Sequence, residues 1–129
     1  MGYFEVDFPQ VAMDKIKVVK KEAALKELCF QGENGKVLED EEGNVKMNNF
    51  AVIGADLTKT GELEEKLRSF GFDLTLPTVV LCECSLTYVE ANSASVFYRW
   101  LAASICDVHL IVYEQVQWKW ALRGSTLCE

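Results

Sequence analysis

The stretch YFEVDFP, residues 3–9, decides how the chain folds. Aromatic and β-branched residues from Tyr3 to Val6 read as a strand, and an acid, Asp7, stands at its end. Pro9 suits the first turn of a helix, where a missing N–H leaves no intrahelical bond unmade. A strand that ends in an acid and runs at once into a helix is how a nucleotide-binding α/β unit is built.

Outward from this stretch, apolar residues at Ala12, Ile16, Val19 and Ala23 recur at helical spacing among lysines. Leu25 and Leu28 extend the pattern, so a long amphipathic helix is expected from Pro9 to about Cys29, broken near Lys20. Residues 32–49, GENGKVLEDEEGNVKMNN, then read as an exposed excursion. A hairpin turning at Glu42-Gly43 fits its two short apolar patches, and a solvated loop without function is its plain reading. FAVIGADL supplies a compact buried strand from Phe50 to Ile53 that ends in small residues and Asp56.

In GELEEKLRSF, Leu63, Leu67 and Phe70 share one helix face, and Gly71 can cap the end. PTVVLCEC gives a strand from Thr78 to Cys82 leading into Glu83. NSASVFYRWLAASI gives a helix capped by Asn92, with Val96, Trp100, Leu101 and Ile105 facing inward. The last strand, Val108 to Tyr113, is followed by Glu114. Strands and helices thus alternate, and the strands are continuous apolar runs, which predicts parallel strands covered by helices on both faces. Ligands of such sheets bind outside the carboxyl ends of the strands, where this chain places Asp7, Asp56, Glu83 and Glu114.

The whole chain has 129 residues, half of them hydrophobic, enough for one domain that buries roughly two thirds of its unfolded surface. Thirteen basic against twenty acidic residues, a net charge of −7, argue against nucleic acid or an anionic membrane as partner, since both demand a positive patch. Five cysteines, Cys29, Cys82, Cys84, Cys106 and Cys128, make an odd count in largely apolar surroundings, which favours a reducing compartment. Neither a signal peptide nor an apolar run of about 18 residues is visible, and Val6 stands where a myristoylation motif wants Ser or Thr. A cytoplasmic monomer is expected.

A strand-end carboxylate has two oxygens spaced to accept the two ribose hydroxyls of a nucleotide-like cofactor, and an acid at the next strand end can reach an exocyclic amine. For any single acid, a helix cap or a solvated loop position is the ordinary alternative. Nicotinamide and S-adenosylmethionine folds share this geometry. Other chemistry is poorly supplied. The single histidine, His109, lies inside a strand, and Cys82-Glu83-Cys84 lacks the second ligand pair of a metal motif. Phosphate loops, nucleophile elbows and paired hydrolase carboxylates are absent, and Trp118 and Trp120 read as ordinary packing residues.

YFEVDFPQV with Lys15, AVIGADL, GELEEKL, LPTVVLCEC, LTYVEANSA and YEQV, in that order from Tyr3 to Val116, resemble the leucine carboxyl methyltransferases. The resemblance implies a Rossmann-like fold and an S-adenosyl-L-methionine-dependent enzyme. Its substrate would be the C-terminal leucine carboxylate of the protein phosphatase 2A catalytic subunit. By the same resemblance Asp7 is the acid that holds the cofactor ribose, Asp56 and Leu57 bracket the adenine, and Glu83 is a further cofactor contact. Tyr88, in the following loop, is the candidate for the methyl-transfer pocket. The methyltransferase branch of tRNA wybutosine synthesis shares the scaffold, though GADL and YEQV look closer to the carboxyl branch.

The family pattern has a strand, a Gly-x-Gly turn and an arginine before the segment that matches YFEVDFP, and an Asp-x-Phe-Gly segment after YEQV. Here QWKWALRGSTLCE follows instead. The expectation is therefore a partial doubly wound, mostly parallel sheet lacking its first and last strands. Residues 1–116 would form it, and residues 117–129 would be an unrelated tail. Little or no activity is expected of this chain alone. A non-catalytic paralogue that keeps an interaction surface is the alternative from another class, and a nicotinamide oxidoreductase is a more distant one.

Overall fold

The computed structural model describes residues 2–30 and 37–114. Residues 32–36 of the excursion, Cys128, Trp118, Trp120 and the whole 117–129 tail lie outside the described residues, as do the side chains of Leu28 and Cys29. The chain divides into two compact units, residues 1–74 and 75–129.

The first unit holds strands β1 (Tyr3–Asp7), β2 (Val37–Glu39), β3 (Val45–Met47) and β4 (Phe50–Gly54), with helices α1 (Pro9–Lys21), α2 (Ala23–Phe30) and α3 (Thr60–Ser69). Its sheet runs β1-β4-β3-β2. β1 and β4 are parallel, with Tyr3 opposite Phe50 and Asp7 opposite Gly54, whereas β3 is antiparallel to both β4 and β2. This corrects the expectation of a mostly parallel sheet. The cause is the excursion. A tight turn in which the Gly43 N–H bonds the Asp40 carbonyl at 3.1 Å, with Gly43 at φ +81°, returns the chain on itself. Such a local closure orders far less chain than a crossover does. Val45 and Met47 then point inward on either side of the partly exposed Lys46, a strand's period-two pattern.

The core of this unit joins Ala12 and Ile16 of α1 to Val45, Met47 and Val52, with Phe50 packed at its margin. β4 is buried from Ala51 to Gly54, as its unbroken apolar run predicted. α1 starts at Pro9 and buries Ala12, Ile16 and Val19. The break lies at Glu22, whose ψ of 114° ends the helix while its N–H still bonds the Val18 carbonyl. The apolar stripe stops at Val19, because beyond that break Ala23 and Leu25 are exposed. α3 buries Leu63 and Leu67, with Phe70 just beyond it. Its end is closed by Gly71 at φ +78°, with Gly71 N–H to Arg68 O and Phe72 N–H to Leu67 O, the paired bonds of a Schellman cap.

The second unit comprises β5 (Thr78–Glu83), a 3-10 turn (Leu86–Tyr88), α4 (Ala91–Ser104) and β6 (Val108–Tyr113). β5 and β6 are parallel, from Thr78 opposite Val108 to Glu83 opposite Tyr113. Three expectations fail here, one of them in part. α4 is preceded by Glu90 rather than capped by Asn92; Leu101 and Ile105 face inward as expected and Trp100 is half-buried, but Val96 is exposed and Phe97 is buried in its place. Both stripes repeat every four residues, and the longer of the two, 97–101–105, turns inward. β5 and β6 are also not covered on both faces: Val79 is 68% and Leu81 60% exposed, and β6 is exposed from His109 to Tyr113. One helix and two strands are too few described elements to bury both sides of a sheet.

Candidate functional site at the strand ends

The parallel register of β1 and β4 sets their carboxyl ends at one end of the sheet of the first unit. Two chain segments leave there, one through Asp7 into α1 and one through Gly54 and Ala55 to Asp56. A backbone bond from Ala55 N–H to the Asp7 carbonyl, 2.9 Å, ties them together. The sequence therefore placed Asp7 and Asp56 correctly at neighbouring strand ends of one sheet.

The two acids are held differently. Asp7 is half-buried, and its Oδ1 accepts from the N–H of Phe8 at 2.7 Å. Asp56 opens a turn in which its Oδ1 accepts from both the N–H and the hydroxyl of Thr58, at 2.9 and 2.7 Å. Those bonds, the hydroxyl first and the amide second, hold the Asp56 carboxyl below its ordinary range. Leu57 sits half-buried in the same turn. Fixed, charged oxygens beside a half-buried apolar side chain can accept hydrogen bonds from hydroxyls or an amine while covering part of a flat ring.

Gly54 shapes the junction between these acids. A Cβ at this position would stand 2.7 Å from the Pro9 Cα and 3.3 Å from its Cβ. Only a residue without a side chain lets the start of α1 come so close to the end of β4. The backbone of Gly54 is also gripped from both sides. Its N–H donates to Asn44 Oδ1 at 2.6 Å, and its carbonyl accepts from Lys66 Nζ at 2.9 Å. Asn44 and Lys66 escaped the sequence reading, which saw in residues 32–49 an exposed hairpin without function and singled out only the apolar face and the closing glycine of GELEEKLRSF. The signal available was local: Asp40, Gly43 and Asn44 make a turn whose side chains can bond its own backbone.

In the second unit Glu83 ends β5 and is exposed, and Tyr88 is 78% exposed at the end of the 3-10 turn. Between them Cys84 takes φ +49° while its N–H bonds the Tyr113 carbonyl at 2.8 Å. Cys82 is buried, and that burial pushes its thiol up. Glu114, another of the strand-end acids, proves to be a cap. Its carboxylate accepts from the amides of Leu86 and Thr87 and from the Thr87 hydroxyl, which together hold its pKa below the usual range, the hydroxyl contributing most. His109 lies on exposed β6, 3.6 Å from Asp107. Among the described residues no helix is long and apolar enough to cross a membrane, and no cluster of three or more His, Cys, Asp or Glu could hold a metal ion.

Comparison with known proteins gives the family of the chain. The leucine carboxyl methyltransferase family matches residues 1–102. Leucine carboxyl methyltransferase 1 of Rattus norvegicus is 33% identical over 114 residues, which cover 88% of this chain and 34% of that protein. The Bos taurus protein of the same name is 32% identical over the same shares. The tRNA wybutosine-synthesizing protein 4 of Rattus norvegicus is 33% identical over 120 residues, covering 88% of this chain and 16% of that protein. The chain thus spans about a third of the length of the carboxyl methyltransferase relatives it matches. On the strength of a match that runs through both strand-end acids of the first unit and Glu83 of the second, this chain belongs to the leucine carboxyl methyltransferase family.

Proposed function

We propose that the carboxyl ends of β1 and β4 hold the nucleoside half of S-adenosyl-L-methionine. The reaction served would be methylation of the C-terminal leucine carboxylate of the protein phosphatase 2A catalytic subunit. The observation that carries this reading is the register of β1 on β4, which sets Asp7 and Asp56 at one sheet end in a chain of this family. Asp7 takes the ribose hydroxyls, Asp56 accepts from the adenine amine, and Leu57 lies against the ring. For Glu83 and Tyr88 the family resemblance alone suggests a further cofactor contact and a residue of the transfer pocket. The residues suit the group: Asp56 is charged and oriented by Thr58, and Gly54 adds no side chain between the two acids.

When bound, S-adenosyl-L-methionine supplies a methyl group on a sulfonium centre. The chain's own task is to bind and orient. A C-terminal carboxylate, with a pKa of about 3.5, is ionised at neutral pH and needs no general base. Proximity and alignment then supply the rate, which accords with a site built of strand-end acids and no histidine. The reading carries with it a cytoplasmic, monomeric protein, which fractionation and sedimentation can check.

Isothermal titration with S-adenosylhomocysteine tests the site. Loss of a hydrogen bond to a charged group weakens binding by roughly 10- to 100-fold, the effect expected of both Asp7→Asn and Asp56→Asn. Binding that neither substitution alters would sink the proposal. Equal identity to a carboxyl methyltransferase and to a wybutosine-synthesis protein supports one second reading, modification of tRNA. Methyl transfer from labelled cofactor to the phosphatase subunit, with and without its terminal leucine, and to tRNA separates the two.

A further inference from the structure

Gly54 lies beyond the reach of its sheet partner. The β3–β4 register ends at Val45 opposite Val52, so two residues further along β4 no strand remains on that side to receive the Gly54 N–H. The side chain of Asn44, the residue just before β3, fills the gap and accepts that N–H at 2.6 Å. Asn44 is 2% exposed and the one buried polar residue among those described. Its orientation is dictated chemically, because Nδ2 donates at 2.6 Å to Asp40 Oδ2, a carboxylate oxygen that can only accept. Asp40 is itself pinned, its Oδ1 accepting from the amides of Glu42 and Asn44 at 2.9 Å each. On the other side, Lys66 bonds the Gly54 carbonyl and pairs with Glu42 of the same turn.

We infer that Asn44, oriented by Asp40, is a positioning residue for the cofactor-binding strand end. The hairpin at residues 37–47 works as a clamp that holds Gly54 so that the Ala55–Asp7 bond forms and Asp7 and Asp56 keep a fixed relation. The inference rests on the cofactor reading of this site, and it assigns a role to the acidic excursion that looked like solvated loop. Neither Asn44 nor Asp40 touches the ligand in this scheme. Both act through the Gly54 amide.

The test pairs amide exchange by NMR with titration of S-adenosylhomocysteine on the full chain. Asn44→Ala leaves the buried Gly54 N–H without an acceptor, and a loss of that size speeds its exchange by roughly 10- to 100-fold. The Ala55 amide should follow, and affinity for S-adenosylhomocysteine should fall about tenfold or more. Asn44→Asp should also fail, since it sets two carboxylates against each other. Asp40→Asn combined with Asn44→Asp is the rescue: the carboxylate at position 44 still accepts from Gly54, and the amide at position 40 now donates to it. That double variant should regain protection and affinity relative to Asn44→Asp alone.

Unchanged Gly54 protection in folded Asn44→Ala overturns the inference. So does unchanged affinity once protection is lost, or a double variant no better than Asn44→Asp. A wild-type chain that takes up no S-adenosylhomocysteine overturns the proposed function instead, and the exchange readout with its rescue then decides the clamp alone.

Discussion

Replacing Gly54 by alanine puts the close approach of the end of β4 to the start of α1 under direct test. The added methyl would lie 2.7 Å from the Pro9 Cα, 3.3 Å from the Pro9 Cβ and 3.4 Å from Asn44 Oδ1. The nearest of these is a backbone atom at the start of α1, so no rotamer change relieves the contact, and either the helix start or the strand end must move. Overpacking of this kind costs about 1–3 kcal/mol. Movement of the strand end also stretches the Asn44 bond to the Gly54 N–H, and a buried amide left without its acceptor costs about 1–3 kcal/mol more. The two effects share one displacement and do not add fully, so a loss of about 2–4 kcal/mol is expected. For a unit of this size that lowers the midpoint of thermal unfolding by on the order of 10–25 °C.

Gly61 is the internal control, because a Cβ there meets nothing within 4 Å. Its place within α3 makes Gly61→Ala neutral or stabilising by up to about 1 kcal/mol. Urea denaturation followed by circular dichroism measures both variants on the full chain. A Gly54→Ala protein within about 0.5 kcal/mol of wild type, the range of harmless surface changes, would refute the close-approach argument.

Two further perturbations probe the acid and the core. The Asp56 carboxyl is depressed in the folded chain, so its contribution to stability is present above the unfolded value of about 3.9 and is lost as pH falls through the folded value. Thr58→Ala should move the Asp56 pKa up toward its ordinary value and flatten that acid-side loss, as read by carboxyl carbon NMR; an unmoved titration would show that Thr58 does not set it. Met47→Ala, at a side chain only 1% exposed in the core beside Val45 and Val52, should lose about 2–5 kcal/mol. Val79→Ala, on the open face of β5, should stay within about 0.5 kcal/mol in the same denaturation assay, and a similar loss at both positions would contradict the burial assigned here.

Much of this architecture was legible from local pattern. Pro9 marked the start of α1, Gly71 the end of α3, and the run FAVIG a strand buried from Ala51 onward, because each signal resides in a residue's own backbone preference or in its neighbours' spacing. The inward face of α4 was legible only in part: Leu101 and Ile105 are buried as expected, whereas Val96 is exposed and buried Phe97 was missed. Val96 with Trp100 and Phe97 with Leu101 and Ile105 repeat equally well, and only what a helix packs on chooses between such stripes. The excursion was legible as a hairpin turning at Glu42-Gly43, but its share in the core was not, for a related reason. Its charge density outweighed two apolar residues, Val45 and Met47, whose value depended on a strand, β4, that the chain had not yet reached.

By itself, the sequence determined the alternation of strands and helices, the acids at the strand ends and the family to which the chain belongs, all of which are carried by contiguous residues. Only the tertiary structure decided where each acid stands and which donors it meets. Asp7 and Asp56 came to neighbouring strand ends through a parallel register spanning more than forty positions of chain. Glu114 became a cap for Leu86 and Thr87, 28 and 27 positions away. Asn44 became the acceptor for Gly54 because β3 stops short of it. A carboxylate or an amide has the same chemistry at any exposed position, and the donor that folding brings to it sets its role.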